Sequence, residues 1–190
     1  MERTARYLED LAAILRAAEA TLSGGRPVTL HEGLEQAIQI ITTRTAANHK
    51  VIFIGNGGSA AIASHQAVDY WKNGGMRAVS FNDSSLLTCI SNDYGYRHVF
   101  EKPVEMFADP GDVLIAISSS GQSENIIRAG RTAIQKGCHL ITMSGFKPDN
   151  PLRALGAVNF YTPSSSYGLI EISHLAVCHC IVDTIIERGA

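Results

Sequence analysis

The chain has 190 residues, 18% of them charged, and a formal net charge of −2. That length suits one α/β domain with an added helical arm and a full core. The charge balance excludes a polycation for nucleic acid and an acidic tail, so a partner must be recognised locally. No apolar run reads as a membrane span, and Glu2, Arg3 and Arg6 lead into an amphipathic pattern instead of a signal-peptide core, which points to the cytoplasm. Cys89, Cys138, Cys178 and Cys180 sit in apolar segments without C-x-x-C spacing and read as buried free thiols.

In chain order, Leu8, Leu11, Leu15, Ala18 and Leu22 predict an amphipathic helix from Arg3 to about Ser23, ended by Gly24-Gly25. Thr29 followed by Glu32 has the form of a capping box for a second helix, with Leu34, Ala37, Ile38 and Ile41 on its apolar face. Two helices ahead of the first strand cannot both cross over a sheet, which assigns residues 1–48 to an arm suited to a subunit interface. Strands are predicted at Val51–Ile54, Met76–Phe81, Val113–Ile117, Cys138–Met143 and Ala157–Tyr161, alternating with helices that end in a long apolar one from Gly168 to Glu187. The whole reads as one doubly wound, five-stranded parallel sheet with two N-terminal helices, the α/β core occupying residues 49–190.

The chemistry concentrates in VIFIGNGGSAAIASHQAVDYW, residues 51–71. A strand buried on both faces runs into Asn56-Gly57-Gly58-Ser59, where backbone N–H groups at a helix start can meet an anion. Ser118-Ser119-Ser120-Gly121-Gln122-Ser123 repeats that arrangement after another strand. In a doubly wound sheet both turns can face the crevice at which the winding reverses. A serine-rich cap without a ligand is the plain alternative. Neither turn is a Walker loop or a dinucleotide fingerprint, which favours a small phosphorylated molecule over a nucleotide.

His65 and Asp69 lie four residues apart on one helix face. Glu171 and His179 lie eight apart on the last helix, offset by roughly 80°, so both can look into one cleft. A carboxylate in so apolar a helix needs a partner. His174 on the same helix is ranked below His179 and suits a structural hydrogen bond. Two histidines and two carboxylates make either an acid–base set or a nitrogen/oxygen metal site suited to zinc.

GNGGS with His65 and Asp69, NDYG at residues 92–95, ISSSGQS at residues 117–123 and the last helix with Glu171 and His179 together resemble the sugar isomerase (SIS) domain, and within it the isomerases of heptose phosphates. The resemblance spans essentially the whole chain. It implies a flavodoxin-like SIS fold and interconversion of sedoheptulose 7-phosphate with glycero-manno-heptose 7-phosphate through an enediol. It also implies phosphate binding by Ser59, Ser118, Ser120 and Ser123 with Gly57, Gly58 and Ser119 beside them, and a sugar channel lined by Asn56, Asn92 and Asp93. A further implication is a zinc ion at His65, Asp69, Glu171 and His179, with the acidic residue as base and His179 as acid, in a homotetramer with sites between subunits. Two positions depart from the family: Asp69 stands where glutamate is usual, and Glu171 where glutamine is usual. Glu171 adds a charge that would hold a cation or act as base. An isomerase of another phosphorylated sugar, a scaffold binding a protein partner and a phosphosugar sensor without turnover are the competing readings.

Overall fold

In the computed structural model, which describes residues 2–189, the chain runs through α1 (Arg3–Arg16), β1 (Glu19–Leu22), β2 (Arg26–Val28), α2 (Leu30–Ala46), β3 (Val51–Gly55), α3 (Gly58–Lys72), β4 (Ala78–Ser80), α4 (Ser84–Tyr94), α5 (Glu101–Phe107), β5 (Val113–Ser118), α6 (Glu124–Gln135), β6 (His139–Ser144), β7 (Val158–Tyr161) and α7 (Tyr167–Glu187). The Thr29–Glu32 capping box forms as the spacing predicts. The Thr29 hydroxyl oxygen accepts from the Glu32 N–H at 3.1 Å, and the Glu32 carboxylate accepts from the Thr29 N–H at 2.8 Å.

The sheet has seven strands in the order β2-β1-β7-β6-β5-β3-β4. The five predicted strands are all present and pair in parallel. β1 and β2 form a hairpin that adds antiparallel to β7, so the sheet is mixed and seven-stranded instead of five-stranded and parallel. The expected first helix therefore ends at Arg16, seven residues before Ser23. The physical reason lies in the residues that follow: Ala20 and Thr21 are buried against the sheet, and Gly24 and Gly25, both with φ near +75°, turn the chain back as a hairpin. The hairpin pairs the β7 edge, whose backbone groups would otherwise be open.

β3 shows why a parallel strand reads as an unbroken apolar run. Val51 and Phe53 enter the core beneath α2, α3 and α7, whereas Ile52 and Ile54 enter the core on the α5 and α6 side, and all four are fully buried. From β3 the chain winds to β4 on one side, while β5, β6 and β7 step outward on the other. The reversal falls between β3 and β5, and the crevice opens beyond their carboxyl ends, Gly55 and Ser118.

Two composition-based expectations change. By length and composition α7 is apolar enough to cross a membrane, contrary to the sequence reading; it packs on α2, α3 and β6 with Ile170, Val177, Ile181 and Ile185 buried, as a core helix does. Of the four cysteines only Cys178 is buried; Cys138 is half-buried, and Cys89 and Cys180 lie on outward helix faces. Burial drives the Cys178 thiol up to about 12.

Candidate active site

At the carboxyl end of β3 the chain must turn sharply into α3. Gly57 makes that turn with φ +54°, in the left-handed region where a side chain is strained. α3 then starts without a side-chain cap, as does α6 at Ser123. Two helix N-termini are thus left to meet whatever lies between them. Between them is a cavity of about 240 Å³ lined by Asn56, Gly57, Gly58, Ser59, Ser118, Ser119, Ser120 and Ser123, with Tyr167 and Glu171 from the start of α7. Every loop residue predicted from the GNGGS and SSSGQS turns to bind phosphate is in this lining. The floor carries hydroxyls and main-chain amides and no lysine or arginine, which suits a phosphate monoester held by hydrogen bonds. Ser118 Oγ donates to Ser123 Oγ at 3.2 Å, and Ser120 Oγ accepts from the Gln122 N–H at 3.2 Å.

Asn56 is held by partners that carry no sequence motif. Its amide nitrogen donates to Asn125 Oδ1 at 3.0 Å, and its Oδ1 accepts from Asn125 Nδ2 and the Tyr96 hydroxyl, both at 2.9 Å. Asn125 is buried in the first turn of α6 and also accepts from the Ile126 N–H at 3.0 Å. A polar residue on the inward face of an otherwise amphipathic helix was the available signal for Asn125. Asn92 and Asp93, the other two predicted channel residues, lie exposed in the last turn of α4, outside the cavity lining; Asn92 Nδ2 donates to Asp93 Oδ1 at 2.9 Å.

Farther along α3 and α7 is a second group. His65 Nε2 lies 3.3 Å from Asp69 Oδ2, and His179 Nδ1 lies 3.9 Å from the same oxygen. The two imidazoles meet edge to face, with centroids 5.8 Å apart. One ligand atom from each of the three residues falls within 4.8 Å of the others. Ligands at tetrahedral zinc stand about 3.3 Å apart, so this nitrogen–oxygen–nitrogen set fits an open, catalytic-type zinc site. Asn73 Nδ2 donates to Asp69 Oδ1 at 3.2 Å, and Gln66 reaches both Asp69 and His179 from a fully buried position.

Glu171 does not join this group, contrary to the expected four-residue ligand set. Eight residues of helix carry it about 12 Å along the axis from His179, and its carboxylate sits against Gly58, where an added Cβ would overlap it. Its place is in the cavity, at the positive end of α3. His174, facing inward, does what its lower ranking anticipated: its ring Nε2 lies 3.1 Å from the Ser144 carbonyl oxygen and donates to it, and burial pushes the imidazole down to about 4.

A doubly wound sheet with a phosphate-type cavity at its switch point and a histidine–carboxylate cluster alongside defines a phosphosugar-binding α/β domain. The model of the SIS domain matches residues 6–145, and the chain belongs to that family. It is 36% identical over 191 residues to a phosphoheptose isomerase of Trichlorobacter lovleyi, spanning 97% of this chain and 92% of that one. It is 33% identical over 187 residues to one from a Geobacter species, spanning 95% and 96%. Among solved structures, phosphoheptose isomerase GmhA from Neisseria gonorrhoeae superimposes with a TM-score of 0.85 at 31% identity, over 96% of this chain and 97% of that one.

Proposed function

We propose that this chain is an aldose–ketose isomerase acting on sedoheptulose 7-phosphate, and that its residues divide between gripping the phosphate and moving protons at the far end of the sugar. The observation that carries this reading is the spacing of the two groups on shared helices. Ser59 and His65 are separated by about 9 Å along α3, with the hydroxyl-lined cavity at one end and the cluster at the other. A long sugar phosphate bridges such an interval and a triose phosphate does not. The relatives named phosphoheptose isomerase support the same substrate.

On this reading Ser59, Ser118, Ser120 and Ser123, with the amides of Gly57, Gly58 and Ser119, hold the phosphate, the Glu171 carboxylate accepts from sugar hydroxyls, and the Asn56 amide accepts or donates to them. Asp69 removes a proton from C1 of the ketose while His179 protonates O2, giving the enediol. Asp69 then returns a proton to C2 and His179 takes the one on O1, leaving the aldose. His179 has that proton to give when no ion is on its ring; His65, Asp69 and His179 would also hold zinc, which when bound would polarise the sugar carbonyl in place of proton donation by His179. Glu171 is too far along α7 to share the ion, which is the main change from the four-ligand expectation.

The cluster opens outward: the His65 side chain is 60% exposed and that of His179 38%. Val68 and Trp71 on α3 are exposed apolar neighbours of it in sequence, and Ile172, next to Glu171 on α7, is exposed as well. We take these as the surface on which further subunits close the site, in a cytoplasmic homotetramer with α1 at the interface; α1 has no buried residue of its own, whereas the rest of the expected arm, residues 1–48, belongs to the sheet and core through β1, β2 and α2.

The test is incubation of pure protein, with and without zinc, with sedoheptulose 7-phosphate in deuterated water. Deuterium at C2 of the heptose 7-phosphate product is expected. No exchange and no product in either condition, from protein shown to be folded, would defeat the assignment. Binding without exchange would favour the sensor reading.

A further inference from the structure

The mechanism above leaves one buried polar side chain of the cluster without a role. Gln66 is completely buried on α3, next to His65 in sequence, yet it faces inward. Its Nε2 lies 3.3 Å from Asp69 Oδ2 and 3.2 Å from His179 Nε2. Its Oε1 is buried with no hydrogen-bond partner. A buried amide oxygen without a partner is a costly feature, and this one belongs to the same side chain that bridges two of the three cluster residues.

We propose that Gln66 is a positioning residue that occupies Nε2 of His179 and so leaves Nδ1 as the ring atom turned toward Asp69 and the space shared with His65. The inference rests on the reading of that cluster as the reacting end of the site. A carboxylate only accepts, so one N–H of the amide goes to Asp69 Oδ2. The other points at His179 Nε2, which accepts only if its lone pair is free. In the metal-free protein the neutral ring therefore carries its proton on Nδ1, the nitrogen 3.9 Å from Asp69 Oδ2.

A cation bound at Nδ1 displaces that proton, and the ring then carries its N–H at Nε2. That N–H needs an acceptor, as a ligating histidine ordinarily has. Half a turn of the Gln66 amide supplies it by bringing the unpartnered Oε1 to Nε2, with the cation taking the place of the amide N–H at Asp69 Oδ2. The one side chain serves as donor to the empty cluster and as acceptor to the loaded one. Both arrangements engage Nε2, and neither offers it to a ligand.

Long-range proton–nitrogen NMR of histidine-labelled protein tests this, with the His179 signals assigned by their loss in His179→Gln. At about pH 8.5, metal-free wild type should show His179 protonated on Nδ1. After addition of zinc it should show the proton on Nε2. Gln66→Met keeps the length and removes both polar ends. It should lose the Nδ1–H preference and weaken zinc binding, measured against a competing chelator, by about 10- to 100-fold. Gln66→Glu keeps an acceptor and should bind zinc at least as tightly as wild type.

Zinc coordination through Nε2, or an Nε2–H ring in the metal-free protein, would overturn the role of Gln66 even if zinc binds and the isomerase is active. The wild-type spectra decide this if Gln66→Met does not fold. Failure of zinc to bind wild type at all would instead overturn the metal reading of the cluster and, with it, the loaded half of this inference.

Discussion

His174 should make the fold acid-sensitive in a defined window. Its ring lies inside the core between α7 and β6, with Nε2–H donated to the Ser144 carbonyl and Nδ1 buried and unpartnered. Burial is the larger influence and lowers the imidazole from 6.5 to about 4; the bond to Ser144 opposes it. With the folded value depressed, the unfolded chain binds more protons between those limits, so stability is lost as pH falls from about 6.5 toward 4 and is fully present above. One unit is worth about 1.36 kcal/mol, so this group costs about 2 kcal/mol at pH 5 and about 3 kcal/mol at pH 4. For a domain this size that is a sizeable share of total stability. The perturbation is His174→Gln, which keeps an N–H for Ser144 and cannot titrate. Urea unfolding at matched subunit concentration, between about pH 8 and pH 4, should show the wild type losing this increment relative to the variant. The difference between the two proteins cancels Glu101, Asp83 and Asp109, whose carboxyls are also held below their ordinary values. A constant difference across that range would refute the account of His174 as a neutral, desolvated ring.

Two other outcomes follow from the site. Gly58→Ala places a methyl where the Glu171 carboxylate sits; the carboxylate must move, and kcat/KM should fall at least about tenfold, or about 1.4 kcal/mol, with the melting temperature little changed. Asn125→Ala strips Asn56 Oδ1 of one donor and Asn56 Nδ2 of its acceptor; a loss of about 1–3 kcal/mol in urea unfolding and a raised KM should appear together, and an unaltered KM would detach this pair from substrate binding.

Much of this molecule is legible in its sequence where local chemistry and tertiary need agree. The capping box at Thr29, the unbroken apolar β3 and the two polar turns at strand ends each state their structure in a few residues. β1 and β2 are less legible because Leu22 continues the helical spacing of Leu8, Leu11 and Leu15, and Gly24-Gly25 stops a helix as readily as it turns a hairpin. Only the open edge of β7, a long-range fact, decides between them. Glu171 and His179 share a helix, and angular offset alone makes them look convergent; the axial distance between them puts one over the hydroxyl-lined cavity and the other in the cluster. Gln66 and Asn125 are amides with no motif, and their importance comes from burial.

The hairpin at the sheet margin has a further consequence. The outer strand, β2, contains Pro27, which has no N–H to offer a newcomer, and the opposite margin, β4, is only three residues long. Neither rim is a good template for another molecule's strand. Self-association by continuing the ladder, the route toward fibres, is thereby discouraged.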